Sequence, residues 1–212
     1  MTVAIVDYGS GNLRSAAKAF ERAAADAPGR PRVEVTADAA ALTRARHIVL
    51  PGVGAFVDCM TGLSRLPGMV EALRERAEAG VPLLGICVGM QLMATTGEEH
   101  GVHAGLGWVP GRVVPIPSAG GELRIPHMGW NEVEPCREHP VLAGIASGTH
   151  AYFVHSYTMV PDDPGDVLAV TDYGGRISAV IGRDNVLGTQ FHPEKSQRVG
   201  LALISRFLAW RP

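Results

Sequence analysis

The run Val81-Pro82-Leu83-Leu84-Gly85-Ile86-Cys87-Val88-Gly89-Met90-Gln91-Leu92-Met93 decides how the rest of the chain is read. Residues 82–86 are short and apolar, the length of a buried strand, whereas 88–95 have the Met, Leu, Gln and Ala make-up of a helix. Cys87 therefore falls on the junction. Gly85 and Gly89, two residues to either side, complete G-x-C-x-G, the cysteine form of the nucleophile-elbow pattern G-x-S-x-G. A sharp strand-to-helix turn needs residues without a Cβ on both sides. It also leaves the sulfur at a helix N-terminus, where unpaired N–H groups and the helix dipole favour thiolate over thiol. The plainer alternative is a buried cysteine acting as a small hydrophobe, and a base elsewhere in the chain has to separate the two.

Upstream of the elbow, short strands alternate with helices. A strand over 2–7 is followed by the turn Gly9-Ser10-Gly11-Asn12 and a helix to about residue 27; further strands at 33–35 and 47–50 flank an alanine-rich segment over 37–46. Pro51-Gly52-Val53-Gly54-Ala55-Phe56 is a glycine-punctuated loop at the carboxyl end of the third strand, where open α/β sheets line their ligand crevice. Met69, Val70, Leu73 and Ala77 recur at helical spacing, predicting a helix over 68–79 that leads into the strand before Cys87. The alternation predicts an α/β fold with a mostly parallel central sheet and helices on both faces. Gly9-x-Gly11 invites a dinucleotide-binding reading, but the third glycine of that fingerprint would stand where Arg14 is.

Downstream the pattern changes to strands at 111–116, 130–133, 152–160, 167–172, 176–182 and 186–191. Tyr173-Gly174-Gly175 and Arg183-Asp184-Asn185 read as hairpin turns joining the last three. This half should be antiparallel, a subsidiary sheet beside the main one. A closing helix over 197–210 turns Leu203, Ile204, Phe207 and Leu208 inward.

The base comes from the end of the last strand, Thr189-Gln190-Phe191-His192-Pro193-Glu194-Lys195. His192 and Glu194 are two apart across a proline that holds the backbone extended, which points both side chains to one side. The carboxylate can then fix the imidazole's tautomer and stabilise its protonated form, as the acid does in a Ser-His-Asp triad. H-x-E also opens the zinc deaminase signature, but the P-C-x-x-C half is missing, so no metal is expected. A histidine hydrogen-bonded in a loop is the ordinary alternative, and His47, His100, His103, His127, His139 and His150 are assigned to it.

The bulk composition narrows the classes. With 212 residues, 46% hydrophobic and 19% charged, the chain can bury a full core as a single domain over 1–212. A net charge of −2 without a basic patch argues against nucleic acid, and no apolar run is long enough to span a bilayer. No signal-peptide core opens the chain, so a cytoplasmic location is expected. Cys59, Cys87 and Cys136 contain no C-x-x-C pair, which speaks against a disulfide framework or a structural zinc.

Gly85-Ile86-Cys87-Val88-Gly89-Met90-Gln91 and Thr189-Gln190-Phe191-His192-Pro193-Glu194 resemble the two most diagnostic blocks of the class I (triad) glutamine amidotransferases. Asp7-Tyr8-Gly9-Ser10-Gly11-Asn12-Leu13, the 51–56 loop, Pro126-His127-Met128-Gly129-Trp130-Asn131 and Tyr152-Phe153-Val154-His155-Ser156-Tyr157 resemble the branch serving histidine biosynthesis, in the expected order along almost the whole chain. Met90 and Lys195 point to the same branch. The resemblance implies glutamine as substrate, no cofactor, and hydrolysis by Cys87, His192 and Glu194. It implies oxyanion donors from Val88 and the Val53-Gly54 segment, and glutamine contacts from Gln91, Glu99, His155, Ser156 and Tyr157. Gln91 is also four residues from Cys87, on the same helical face. The implied partner is a (β/α)8-barrel cyclase that receives the ammonia, docking on Asn12, Tyr152 and Lys195 and switching the glutaminase on through the 51–54 loop. Two other readings stay open from the residues: the glutaminase component of another amidotransferase or a stand-alone cysteine hydrolase of this fold, and a catalytically silent interaction module.

Overall fold

The computed structural model describes residues 1–117 and 123–212. Strands β1 (Thr2–Val6), β2 (Arg32–Thr36), β3 (Ala45–Gly52) and β4 (Leu83–Cys87) run parallel in the order β2-β1-β3-β4. A strand from near the other end of the sequence, β13 (Val186–Thr189), adds a parallel neighbour to β4. Every residue of β4 (LLGIC) and β13 (VLGT) is buried, the continuous apolar run expected of strands covered on both faces.

Helices α1 (Leu13–Asp26), α2 (Phe56–Arg65), α3 (Met69–Glu78), α4 (Val88–Gln91) and α5 (Gln197–Ala209) complete the layers. Phe20 of α1 meets Phe207 of α5 edge-on with centroids 6.3 Å apart, and Leu203, Ile204, Phe207 and Leu208 are buried as expected. α1 ends where Ala27, held extended ahead of Pro28, cannot continue the helix. α3 starts after Gly68, whose φ of 68° is a left-handed turn open to glycine.

The chain continues the same sheet with β12 (Arg176–Arg183), β11 (Val167–Asp172), β8 (His127–Pro135) and β9 (Thr149–His155), giving a nine-stranded order β2-β1-β3-β4-β13-β12-β11-β8-β9. The added pairs are antiparallel, with both expected hairpins present. A second sheet holds β10 (Tyr157–Pro161), β7 (Gly111–Pro115), β5 (Thr96–Gly97) and β6 (His103–Ala104) in the order β10-β7-β5-β6. The fold class is thus as the sequence implies, but of the strands expected in the antiparallel half most extend the main sheet, and only β7 and β10 join the short β5 and β6 in the second one.

Three local differences have physical causes. The strand expected over 152–160 is two strands in different sheets, pivoting at Ser156, whose carbonyl accepts from Ile116 N at 2.9 Å. The helix expected over 88–95 is a single turn. The carbonyls of Leu92, Met93 and Ala94 accept instead from the backbone N–H groups of Leu106, Val109 and Gly107 at 2.7–3.0 Å, as the chain turns towards β5 of the second sheet. The unanticipated α2 contains Gly62, a poor helix former. A Cβ there would stand 2.6 Å from the Tyr8 carbonyl oxygen, so its weak helical signal serves a close approach to β1's exit.

Candidate active site

Cys87 ends β4 with φ 56° and ψ −113°, a backbone conformation uncommon outside glycine and found where surrounding structure enforces strain. The enforcement is visible in its neighbours. A Cβ on Gly85 would lie 2.5 Å from the Gly89 carbonyl oxygen, and one on Gly89 would lie 1.8 Å from that of Leu50. Both glycines are required because β4, the first turn of α4 and β3 pack backbone to backbone. Val88 then begins α4, and its N–H is one of the donors a helix start leaves without an intrahelical partner.

His192 follows β13 and is pinned from both sides: its N–H donates to the Tyr152 carbonyl at 2.9 Å and its carbonyl accepts from Ser196 Oγ at 2.7 Å. Nδ1 of its ring lies 2.7 Å from Glu194 Oε1, and the two side chains are only 2% and 3% exposed. The pairing is the expected one, but its cause is corrected. Pro193–Lys195 is a 3-10 turn, so the tight turn rather than extended backbone brings the carboxylate under the ring. Nε2 is buried with no aligned hydrogen-bond partner. Burial presses the imidazolium towards deprotonation; the Cys87 sulfur and Glu194 more than offset it, and the pKa is pushed up to about 9. A buried His192 that keeps its proton beside the Cys87 sulfur is placed to act as a general acid.

These groups open into a cavity of about 290 Å³ lined by Val53, Gly54, Cys87, Val88, Gln91, Glu99, Pro126, Val154, His155, Ser156, Tyr157 and His192. Every residue named from the sequence as nucleophile, base, oxyanion donor or glutamine contact lies on this wall, save Glu194, which stands behind His192. A wider hollow of about 810 Å³ between Pro135 and Ile145 holds none of them. Among the described residues no cluster of three or more His, Cys, Asp or Glu could hold a metal ion.

The Val53-Gly54 segment is tied back. Val53 N donates to Ser10 Oγ at 3.2 Å, while its carbonyl accepts from the same hydroxyl and from Cys59 Sγ at 3.4 Å. The Val53 N–H is therefore taken up by Ser10, whereas Gly54, with φ 102° and open space where a Cβ would be, is free to turn. Beneath them the buried Tyr8 hydroxyl donates to the Pro51 carbonyl at 2.6 Å, and burial raises the pKa of both the Tyr8 phenol and the Cys59 thiol.

Gln91 donates through Nε2 to the Tyr157 carbonyl at 3.1 Å and to Gln190 Oε1 at 3.0 Å, so its oxygen is the end left for a ligand. Glu99 Oε2 accepts from Phe56 N at 2.7 Å, capping α2 where Ala55 offers no side chain to do so. His155 donates from Nδ1 to the Tyr157 carbonyl at 2.8 Å. Of the residues expected to face a partner, Asn12 is exposed at the head of α1, and Lys195 Nζ stands 5.6 Å from the centre of the Tyr152 ring.

Sequence reasoning missed two residues of this environment. Gln190, fully buried, reaches from Nε2 to Cys87 Sγ at 3.8 Å; its signal is an amide between the buried Thr189 and Phe191. His127, assigned to an exposed loop, is 2% exposed and bonded to His155. His47 is corrected likewise: it is buried against Phe207, with Nε2 3.0 Å from Arg211 Nη1.

The sequence matches the family model "Glutamine amidotransferase class-I" over residues 4–209. It is 57% identical to the imidazole glycerol phosphate synthase subunit HisH of Rhodopseudomonas palustris and 56% identical to that of Rhodospirillum rubrum, in each case over all of both chains. Its backbone is similar to a crystal structure of a glutamine amidotransferase, with a TM-score of 0.73 at 20% identity over 98% of this chain and 97% of that one.

Proposed function

The chain belongs to the class-I glutamine amidotransferase family, within it to the imidazole glycerol phosphate synthase subunit HisH, and from that premise we propose that it hydrolyses glutamine with Cys87, His192 and Glu194 and passes the ammonia to a cyclase partner. It is a glutamine amidotransferase of histidine biosynthesis. What carries the finer reading is the pair His192–Glu194, at 2.7 Å and buried beside the strained Cys87 elbow.

The Cys87 thiolate attacks the carboxamide carbon of glutamine, and the carbonyl electron pair moves onto oxygen. Collapse of this tetrahedral adduct breaks the C–N bond, with the departing nitrogen taking the His192 Nε2 proton and leaving as ammonia. Neutral His192 then removes a proton from water, the hydroxide attacks the thioester carbon, and the C–S bond breaks to give the γ-carboxylic acid, which releases its proton to solvent as glutamate. The proton remains on His192, restoring the ion pair. Glu194 holds Nδ1–H throughout and stabilises the charged ring.

The oxyanion is met by Val88 N–H and by a donor from the Val53-Gly54 peptide once Ser10 releases it. Losing one such donor typically costs about a hundred- to a thousandfold in rate, so the tied-back loop keeps the subunit nearly idle until a partner docks. Gln91 and the backbone of His155, Ser156 and Tyr157 hold the substrate, with Glu99 facing its ammonium. The partner is a (β/α)8-barrel cyclase seated on Asn12, Tyr152 and Lys195; the exposed Met128 and Trp130, the latter edge-on to Tyr152 at 6.0 Å, enlarge that face. The chain acts as one domain in the cytoplasm. Among the described residues no helix is long and apolar enough to cross a membrane.

The test is glutamate release by the purified chain, with and without the cyclase and its ribonucleotide, for wild type and Cys87→Ala. Release that needs both additions and vanishes in the variant is the expected result. Full-rate hydrolysis by the isolated chain would remove the switch, and release by Cys87→Ala would remove the nucleophile.

A further inference from the structure

His127 is a buried imidazole that the chemistry above does not use. It lies on β8, paired in register with His155 on β9, and its ring stacks on Phe153 (4.8 Å, 21°) and on Tyr173 (4.0 Å, 22°). Burial lowers the pKa of both His127 and His155 to about 4, so both rings are neutral where glutamine is hydrolysed.

Hydrogen-bond polarity then fixes every proton in the cluster. The Tyr157 carbonyl can only accept, so Nδ1 of His155, 2.8 Å away, carries a hydrogen. The neutral ring leaves a lone pair on Nε2, and His127 Nδ1, 2.9 Å from it, must be the donor. His127 Nε2 is in turn an acceptor for Asn131 Nδ2 at 3.1 Å, and that amide also donates to the Asp172 carbonyl at 2.8 Å. The chain continues beyond Tyr157: the same carbonyl accepts from Gln91 Nε2, Gln91 donates to Gln190 Oε1, and Gln190 Nε2 reaches the Cys87 sulfur. Two runs of donors thus meet at the Tyr157 carbonyl, one from Asn131 through His127 and His155, the other starting at Gln91, which also donates through Gln190 towards the Cys87 sulfur.

We propose that His127 is a positioning residue of the glutaminase site: its Nδ1–H holds His155 as the Nδ1–H tautomer turned onto the Tyr157 carbonyl, so that Gln91 and Gln190 are set and proton exchange at the sulfur is left to His192. Without that donor, Nε2 of His155 is a buried acceptor with no partner, which the ring relieves by turning or by taking a proton. Either change moves the carbonyl on which Gln91 hangs. The inference rests on the glutaminase reading above for its kinetic readout and on the structure alone for its tautomer.

The experiment compares His127→Phe, which keeps an aromatic ring to stack but has no donor, with His127→Gln, which restores an N–H. Glutamate release is followed with the cyclase and its ribonucleotide present, and the His155 tautomer by 15N NMR. The expected result is a fall in kcat of about a hundredfold for His127→Phe, the size of defect produced by slight misplacement of reacting groups, with loss of the Nδ1–H signature at a melting temperature near wild type. His127→Gln should recover most of both. A His127→Phe enzyme within twofold of wild-type kcat, or a His155 tautomer unchanged in that variant, would overturn the proposal. If wild type itself releases no glutamate, the functional reading fails, and the 15N signature of His155 still decides this one.

Discussion

Glu194→Gln tests the resting ion pair most directly, because it removes a charge while keeping an oxygen for His192 Nδ1–H. In wild type the imidazole titrates at about 9 although burial, the largest influence, works against its charge; Cys87 and Glu194 supply the opposing attraction. Without the carboxylate only the Cys87 sulfur still opposes burial, so the value drops from about 9, and the ordinary 6.5 sets the scale of the fall. At pH 8 a group with pKa 9 is about 90% protonated, and one with pKa 6.5 about 3%, so the variant loses about thirtyfold of its competent acid; at pH 6 the loss shrinks to about 1.3-fold. The assay is kcat/KM for glutamine from pH 5.5 to 9.5 with the cyclase and its ribonucleotide present. The alkaline limb of wild type should fall near 9 and that of the variant well below it. Stability should follow the same pair: the folded chain holds the His192 proton more tightly than the unfolded one, so this contribution is complete below 6.5 and is lost as pH rises through about 9. Parallel rate profiles, with one constant ratio at every pH, would refute the reasoning.

Gly89→Ala forces a Cβ to within 1.8 Å of the Leu50 carbonyl oxygen, a contact with backbone that cannot swing aside. The expected outcome is a loss of roughly 3 kcal/mol in urea unfolding together with loss of glutaminase activity, and an unchanged urea midpoint would contradict it. Ser10→Ala removes the hydroxyl that bonds both the N–H and the carbonyl of Val53; at roughly 1 kcal/mol for each of the two net hydrogen bonds, partner-free glutamate release should rise about thirtyfold, and a variant as idle as wild type would show that Ser10 is not the restraint. Glu99 serves two masters by position, α2 through Phe56 N and the cavity. Glu99→Gln should therefore raise KM while keeping kcat, whereas Glu99→Ala should also lower kcat; identical kinetics for the two variants would separate the helix cap from catalysis.

The fold was readable where local pattern and burial agree. The apolar β4 and the alternation before it announce a covered parallel sheet, and the two hairpin turns after residue 172 fix antiparallel neighbours, whereas the parallel pairing of β13 with β4 is a long-range contact that the expected antiparallel half does not include. Reading failed where hydrogen bonds leave the local segment. Nothing in Leu92-Met93-Ala94-Thr95 signals that their carbonyls are claimed from residues 105–109, because the claim depends on Gly105, whose absent Cβ would otherwise stand 2.2 Å from the Ala94 oxygen. The break at Ser156 has the same origin: alternation continues through it, and only the partners of the two halves differ.

The site divides along the same line. Cys87, His192 and Glu194 were legible because each needs a residue type at a short spacing: two glycines around a nucleophile, an acid two places beyond a base. Their support was not legible, since Gln190, His127 and Ser10 act through partners 103, 28 and 43 positions away. A histidine at the start of the mixed strand β8 is unremarkable by composition, and its neutrality follows only from the burial it meets in the fold. The backbone reason for Gly89 likewise belongs to β3, not to the elbow that contains it. The proposed nucleophile and base are thus written locally, whereas their surroundings and the tied-back loop are written in long-range contacts. Substitutions of Cys87 or His192 should abolish glutamate release with or without a partner. Those in the long-range contacts should change how release depends on tautomer or partner, and a Ser10 or His127 variant that behaved like Cys87→Ala in every assay would break that division.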